Sequence, residues 1–514
     1  MTTVQTQTVH ELLSTGAAGA TAIAASERPP LTFEGLRQLV RDTVVALNQL
    51  GYGRGDAVAI VLPNGPEMAT SFIGVSSACV SAPLNPAYVD DELDFYLSDL
   101  KAKALIVEAG SESPAVDVAK KLGIPVLELV TGPDKPAGSF TLRGPDGKDV
   151  VPDPSRTPDY AGPDDVGLVL HTSGTTSRPK QVPLRQKNLA ASARHIGQTL
   201  QLTPADRCMN IMPLFHIHGL IAATLSSLAA GSSVFCTSGF NALRFFAQLD
   251  EAHPTWYTAV PTMHQTILSR AERNAESIAR NPLRLIRSSS ASLPPQVMAA
   301  LEATFNAPVI EAYGMTEAAH QMASNPLPPS ARKPGSVGVA AGPEVAIMDD
   351  TGELLGPGET GEVVIKGPNV TAGYVNNEKA NAEAFTNGWF RTGDQGYLDV
   401  EGYLWLTGRL KEIINRGGEK ISPREIDEVL LDHPSVAQVC TFAMPHERLG
   451  EEVAAAVVLI EGIPATEREL RDFCSGRLAD FKVPRKVVIL PEIPKGATGK
   501  VQRIGLAEKL GLGK

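Results

Sequence analysis

The residues best suited to chemistry form the stretch Thr172-Ser173-Gly174-Thr175-Thr176-Ser177-Arg178-Pro179-Lys180, directly after the apolar run Val166-Gly167-Leu168-Val169-Leu170-His171. A buried strand that empties into small, hydroxyl-rich residues and ends on a cation is suited to holding phosphate. Gly174 permits turns that other residues resist and lets the backbone come close to a ligand. Successive N–H groups in such a turn form an anion-binding concavity, to which the hydroxyls add neutral donors. It is not the phosphate loop of the P-loop ATPases, because Pro179 stands where that motif needs its second glycine. Alone, the stretch is equally compatible with a polar surface loop, so partners must be sought elsewhere in the chain.

Candidate partners recur along the sequence. They are Pro213-Leu214-Phe215-His216-Ile217-His218-Gly219, Glu311-Ala312-Tyr313-Gly314-Met315-Thr316-Glu317, Thr392-Gly393-Asp394 and Gly408-Arg409-Leu410-Lys411-Glu412. Asn415-Arg416-Gly417-Gly418-Glu419-Lys420 and Pro494-Lys495-Gly496-Ala497-Thr498-Gly499-Lys500 follow. Singly, each has a plainer account. Asp394 caps a turn, Lys500 is a tail lysine, and Glu419 with Lys420 makes a solvated turn. His216-Ile217-His218 lacks a third metal ligand nearby in sequence.

The elements that must position these residues alternate between helix and strand. Residues 33–50 carry apolar side chains at helical spacing, 57–62 read as a buried strand closed by Pro63-Asn64-Gly65-Pro66, 68–79 are helical and 104–107 form another strand. Such alternation predicts an α/β architecture with mainly parallel strands. Residues 131–165 turn to Gly, Pro, Asp and Lys, which predicts a long exposed excursion with a little strand structure of its own. Short apolar runs at 256–260, 285–287 and 308–310 each bring a loop to the carboxyl edge of a sheet, where open α/β sheets bind ligands. After Gly335 the texture becomes glycine-rich and short-stranded. Ser422-Pro423-Arg424-Glu425 predicts a helix start with a Ser N-cap, Pro at the first position and Glu closing a capping box. Strands at 436–443, 453–460 and 487–490 and a charged helix at 467–478 complete a compact C-terminal unit. The domain boundary falls at Leu410 and Lys411, giving domains of residues 1–410 and 411–514.

Whole-chain quantities narrow the classes. A chain of 514 residues exceeds one hydrophobic core, so two or more domains are expected. A net charge of −11 offers no basic footprint for nucleic acid, and local cations must gather any anionic ligand against the overall field. Cys79, Cys208, Cys236, Cys440 and Cys474 are scattered without a C-x-x-C, which argues against a disulfide framework or thiolate zinc and for a reducing compartment. No Lys or Arg precedes the apolar stretch at 17–25, so it is not a secretory signal. The uncharged run between Arg207 and Arg244 has the length of a membrane span, but glycines and serines interrupt it, and a buried helix followed by a strand is expected. The sequon Asn369-Val370-Thr371 is idle without export, and the C-terminal Gly-Leu-Gly-Lys is no peroxisomal tripeptide. A cytoplasmic protein with no membrane span is expected, and the residues carry no signal of oligomeric state.

Taken together and in order, these stretches resemble the AMP-forming acyl-CoA synthetases of the adenylate-forming superfamily, from the first helix to the last few residues. The resemblance implies an α/β fold: a large N-terminal domain of mainly parallel sheets with helices plus a small β-barrel-like subdomain, and a small mobile α+β C-terminal domain. It implies two half-reactions, in which a carboxylate and ATP give acyl-AMP and pyrophosphate and the thiol of coenzyme A then displaces AMP. ATP, Mg2+ and coenzyme A are the implied cofactors and cosubstrates, with a small carboxylic acid as partner. Thr172, Ser173, Gly174, Thr175, Thr176 and Lys180 would hold the β- and γ-phosphates. Glu311, Ala312, Tyr313 and Gly314 would form the nucleotide side of the site, with Tyr313 stacked on adenine. Thr316 would bond the α-phosphate, Glu317 with Thr175 would hold Mg2+, and Asp394 would accept the ribose hydroxyls with Arg409 beside it. Lys500 would reach the reacting carboxylate, and Lys411 would be the hinge that later presents Gly417, Gly418, Glu419 and Lys420 to coenzyme A.

The implied chemistry has its own physical sense. A carboxylate attacking ATP brings like charges together, and one such pair at about 4 Å and an effective dielectric near 20 repels by roughly 4 kcal/mol. A lysine between them and Mg2+ on the phosphates offset that repulsion. Within the family the chain looks closest to the oxalate–CoA ligases of plants and fungi. That likeness rests on residues 171–180, Trp256-Tyr257-Thr258-Ala259-Val260-Pro261-Thr262, Arg287-Ser288-Ser289-Ser290-Ala291-Ser292, Met315-Thr316-Glu317-Ala318-Ala319-His320 and residues 415–423. Ser290, His320 and the gate histidine His216 are the positions it implies around the acyl group, with His216 joining Lys500, Thr316 and Glu317 among catalytic candidates. A second carboxylate beside the reacting one needs a donor-rich site, which imidazoles and a hydroxyl supply. Two positions depart from the pattern: Gln181 replaces a usual glycine and is expected to stiffen the loop's exit, and Gly314 stands where close oxalate ligases tend to carry alanine. A CoA ligase for another short or aromatic acid, and a non-catalytic nucleotide-binding homologue, are the alternatives. The latter is disfavoured by the joint presence of Glu317, Asp394, Arg409 and Lys500.

Overall fold

Runs of apolar residues buried on both faces form parallel strands covered by helices, and the chain uses this device twice. The computed structural model describes residues 6–172, 179–495 and 501–513. Among them, a seven-stranded sheet runs Thr141–Arg143, Val126–Val130, Ala104–Glu108, Ala57–Val61, Val80–Pro83, Val166–Thr172 and Lys180–Arg185. Its inner pairings are parallel. A nine-stranded sheet runs Val339–Ala340, His320–Ser324, Val309–Met315, Leu285–Ser288, Trp256–Ala259, Arg207–Asn210, Ser233–Cys236, Thr21–Ala24 and Leu31–Thr32, parallel from Val309–Met315 through to Thr21–Ala24. One apolar core joins the two sheets through Ile60, Phe72, Leu168, Leu220, Trp256 and Ile310. The helix Phe33–Gln49 opens on Thr32, whose side chain accepts from the Gly35 N–H.

Several expectations need correcting. The helix expected at 68–79 starts at Pro66 and ends at Ser76, because proline's fixed φ suits the first turn and its missing N–H is not needed there. The excursion at 131–165 holds a little strand structure as expected, Thr141–Arg143, but is not simply exposed: it buries Ala137, Phe140, Leu142 and Ala161. Arg28 pins it by donating to the carbonyls of Lys135 (2.8 Å) and Pro136 (3.1 Å), and Thr70 Oγ1 donates to Gly138 O at 2.6 Å. The uncharged run forms the wide-turned helix His218–Leu225, continued by Ser226–Ala229, and then the strand Ser233–Cys236. Among the described residues no helix is long and apolar enough to cross a membrane. The five cysteines are free and buried. Asn369 of the sequon is fully buried and donates to the carbonyls of Ala318 (2.8 Å) and Gln321 (2.9 Å), which makes it a brace in the folded chain.

The glycine-rich region forms an antiparallel, barrel-like sheet of Glu344–Met348, Gly361–Lys366, Trp389–Leu398 and Phe385–Thr386, with Leu404–Arg409 paired to Trp389–Leu398. The C-terminal sheet orders Glu419–Ile421, Ile414–Arg416, Gly450–Leu459 and Val436–His446, with Lys486–Ile489 parallel to Gly450–Leu459. Its helix Pro423–Leu431 starts after Ser422 as expected, but the capping box does not form. The Ser422 hydroxyl donates to Thr407 O, and Glu425 instead pairs with Lys482 at 2.7 Å. The competing partner lies in another sheet, beyond the reach of a local motif.

Candidate active site

Thr172 and Lys180 are opposed partners in an antiparallel hairpin. Ser173, Gly174, Thr175 and Thr176 fall outside the described residues. The return strand Lys180–Arg185, held by the buried Val182 and Leu184, intervenes before the helix Gln186–Thr199. Lys180 therefore leads into a strand and not directly into a helix N-terminus. Asp99, at the end of the helix Asp90–Asp99, ties both arms. Gln181 Nε2 donates to the Asp99 carbonyl (2.7 Å) and carboxylate (2.8 Å), and His171 Nε2 lies 2.9 Å from the same carboxylate oxygen. Burial lowers the His171 pKa, against the pull of Asp99. Gln181, where glycine was usual, is thus a tie across the base of the loop.

The strand Val309–Met315 and the turn Thr316–Ala318 carry the next group. Lys180 Nζ sits 4.5 Å from the ring centroid of Tyr374, whose hydroxyl donates to Glu317 Oε1 at 2.9 Å. Burial raises the Glu317 pKa, opposed by its own backbone N–H, the Tyr374 hydroxyl and the charges of Arg409 and Lys180. Thr316 is half-buried beside it. The Tyr313 hydroxyl donates to Asp394 Oδ2, and Arg409 Nε lies 3.2 Å from Asp394 Oδ1, so these three expected residues do converge. Glu311 points inward: Oε1 accepts from Leu293 N–H at 2.8 Å, and burial pushes the carboxyl up to about 7. Ala312 O accepts from Ser289 Oγ at 2.8 Å. Among the described residues no group of three His, Cys, Asp or Glu side chains could cage a metal. A single buried carboxylate with one hydroxyl donor nevertheless suits Mg2+, which is commonly held by one or two carboxylates plus substrate phosphates and water.

The residues expected on the acyl side lie at the carboxyl ends of the parallel strands. His218 Nδ1 lies 3.0 Å from Ser290 Oγ and its Nε2 lies 2.6 Å from Thr258 Oγ1. Its ring packs edge-on against His320 with centroids 4.8 Å apart. Its backbone N–H donates to His216 Nδ1 at 3.3 Å. His218 therefore joins Ser290, His320 and His216. Arg287 is completely buried, with Nη1 3.5 Å from His320 Nε2 and Nη2 donating to Gln321 Oε1 at 3.3 Å. Ser290 (φ 73°), Ala319 (φ 47°) and His320 (φ 102°) all sit in the left-handed region, a cost that folded proteins tolerate where side-chain aim matters. Gly314 faces this turn: a Cβ there would lie 1.9 Å from His320 O. Farther along, Gly417 (φ 59°) and Gly418 (φ 100°) make the two-residue turn between Ile414–Arg416 and Glu419–Ile421, with Glu419 and Lys420 exposed. Lys411 is exposed, and Lys500 lies outside the described residues.

A family model described as AMP-binding enzyme matches residues 14–375, and one described as AMP-binding enzyme C-terminal domain matches residues 425–500. The chain belongs to the AMP-binding enzyme family. Within it, this is an acid–thiol ligase of the AMP-forming kind. This AMP-binding enzyme is 47% identical over 487 residues to an oxalate–CoA ligase of Arabidopsis thaliana, covering 94% of each chain. It is 44% identical over 475 residues to an oxalate–CoA ligase of Saccharomyces cerevisiae, covering 88% of this chain and 87% of the yeast protein. The ATP-bound structure of MatB from Rhodopseudomonas palustris matches with a TM-score of 0.86 and 29% identity, covering 98% of both chains. The expected α/β fold, with its small barrel-like sheet and separate C-terminal domain, is the fold of this family. Reading the sequence missed Asp99, His218, Arg287 and Tyr374 as parts of the AMP-binding enzyme's site. Two of these left a signal: Arg287 as a cation inside the apolar strand Leu285–Ser288, and His218 within the stretch Pro213–Gly219.

Proposed function

We propose that this AMP-binding enzyme is an oxalate–CoA ligase: oxalate and ATP give oxalyl-AMP and pyrophosphate, and coenzyme A then displaces AMP. The observation that carries the oxalate reading is the polar character of the acyl side, where His218, Ser290, His320 and buried Arg287 meet. After adenylation one carboxylate of oxalate stays ionised, and burying it requires donors in place of an apolar tunnel. The two relatives named for oxalate agree with this. Residues 172–180 clamp the departing phosphates, Asp394 and Arg409 take the ribose side, and Tyr313 lies against the base. Glu317 and Thr175 would hold Mg2+, which would supply positive charge against the phosphates. Lys500 bridges the acid and ATP during the first step. Residues 411–514 then turn about Lys411, withdraw Lys500 and bring Gly417, Gly418, Glu419 and Lys420 toward coenzyme A.

The test is acid-dependent pyrophosphate release across oxalate, malonate, glycolate, acetate, hexanoate and coumarate, with ATP, Mg2+ and coenzyme A present. Oxalate is expected to give the highest kcat/KM. Preference for coumarate or hexanoate would overturn the oxalate assignment.

A further inference from the structure

We propose that Arg287 is the residue that selects an acid carrying a second carboxylate, by supplying the positive charge that this carboxylate meets in the acyl site. This rests on the oxalate–CoA ligase reading and names the side chain responsible for it. The strand Leu285–Ser288 is central in the nine-stranded sheet, and its neighbours Leu285 and Ile286 are fully buried core residues. Register sets Arg287 beside Thr258 on one side and Ile310 on the other. Thr258 is the hydroxyl bonded to His218, and the guanidinium meets the same group through His320, with Nη1 3.5 Å from its Nε2.

The unusual feature is what Arg287 lacks. No Asp or Glu among the described residues lies within ion-pair distance of it, and its Nε has no hydrogen-bond partner there. Its side-chain contacts are one weak approach to His320 and one bond to a neutral amide. Arginines that are less buried in this same protein do find carboxylates: Arg284 with Asp206 at 2.8 Å, Arg391 with Glu362 at 2.6 Å and Arg503 with Asp427 at 2.6 Å. A buried cation without a counter-charge is strongly unfavourable, and burial pulls the Arg287 pKa down to about 9. A purely structural role would be filled better by an apolar residue, as at Leu285 and Ile286. A guanidinium with open donors beside the acyl histidines is instead matched to a carboxylate, which it can bind with two parallel N–H bonds.

The experiment compares oxalate with oxamate, which keeps the skeleton but replaces the second carboxylate by a neutral amide, and with acetate. In wild type, oxalate should exceed oxamate in kcat/KM by about a hundredfold, the scale expected for losing one partner of a buried charge pair. Arg287→Met should collapse that ratio toward one, mainly through the KM for the acid and without a matching rise in the KM for ATP. Arg287→Lys, which retains a cation, should keep part of the ratio. Should Arg287→Met fail to fold, the wild-type ratio and the lysine variant still decide. Wild type that uses only acids with one carboxylate would overturn the oxalate reading and this inference together. Wild type that uses oxalate, with equal activity on oxamate or with the preference intact in Arg287→Met, would overturn this inference alone.

Discussion

Gly314 and His320 show how finely single residues are set in this site. The register of the pairing with His320–Ser324 shifts between Tyr313 and Gly314, and an alanine Cβ at 314 would meet His320 O at 1.9 Å and Nδ1 at 2.5 Å. Gly314→Ala must therefore displace the His320 turn. We expect about a tenfold rise in the KM for oxalate, little change in the KM for ATP, and a stability loss of about 1–3 kcal/mol. Unchanged acid kinetics and unchanged Tm would count against this steric account. Glu311 offers a test through pH. Its buried carboxyl keeps its proton up to about 7, above the ordinary value of 4.5. Folding thus retains a proton that the unfolded chain releases, so the stabilising contribution is full below about 4.5 and is lost as pH rises through about 7. Glu311→Gln preserves an acceptor for Leu293 N–H and cannot ionise. Its Tm should exceed wild type at pH 8 and converge with it near pH 5, as followed by calorimetry. A difference that does not vary with pH would contradict the assignment.

At the scale of elements, the helix Asp90–Asp99 supports the hairpin of Val166–Thr172 and Lys180–Arg185 from outside. Its last residue holds His171 on one arm and Gln181 on the other. Each such bond has a net worth of about 0.5–1.5 kcal/mol, so their loss should alter loop placement more than global stability. Asp99→Ala is expected to raise the KM for ATP by about three- to tenfold while the KM for oxalate stays near its wild-type value. Initial rates of pyrophosphate release at varied ATP would show this, and an equal rise for both substrates would refute it. The return strand was not legible beforehand, because Pro183 weakens the strand signal of residues 180–185. Its pairing with Val166–Thr172 supplies what local propensity does not.

For the whole molecule, the relevant contrast is between shared and separate cores. Among the described residues, the C-terminal apolar clusters draw only on residues after Ile413, and the others on none beyond Leu406. Polar bonds connect the two parts: Arg424 donates to Leu406 O (2.8 Å) and Gly335 O (3.0 Å), and Ser422 donates to Thr407 O. A few polar ties without a common core are compatible with rotation about Lys411. Around it, Leu410 N–H is committed to Gly393 O, while the Glu412 and Ile413 amides donate to Arg409 O. Lys411→Pro fixes φ and should slow one half-reaction much more than the other. Measuring pyrophosphate release separately from thioester formation from supplied acyl-AMP checks this. Equal loss of both steps, or of neither, would rule out the hinge role.

The order of motifs and the alternation of helix and strand were enough to identify the α/β class and the family. Those signals are local: apolar spacing, turn formers and short motifs act over a few neighbouring residues. What the chain's letters did not determine is how distant segments share a point in space. The unpaired charge of Arg287 depends on Leu285–Ser288 lying between Trp256–Ala259 and Val309–Met315. The His218–Ser290 contact joins residues 72 positions apart, and the capping of Pro423–Leu431 was lost to a carbonyl in another sheet. Strand order and register decide these contacts, because they determine which buried polar groups must satisfy one another. They leave Arg287 among neutral groups, the feature on which acid selection turns.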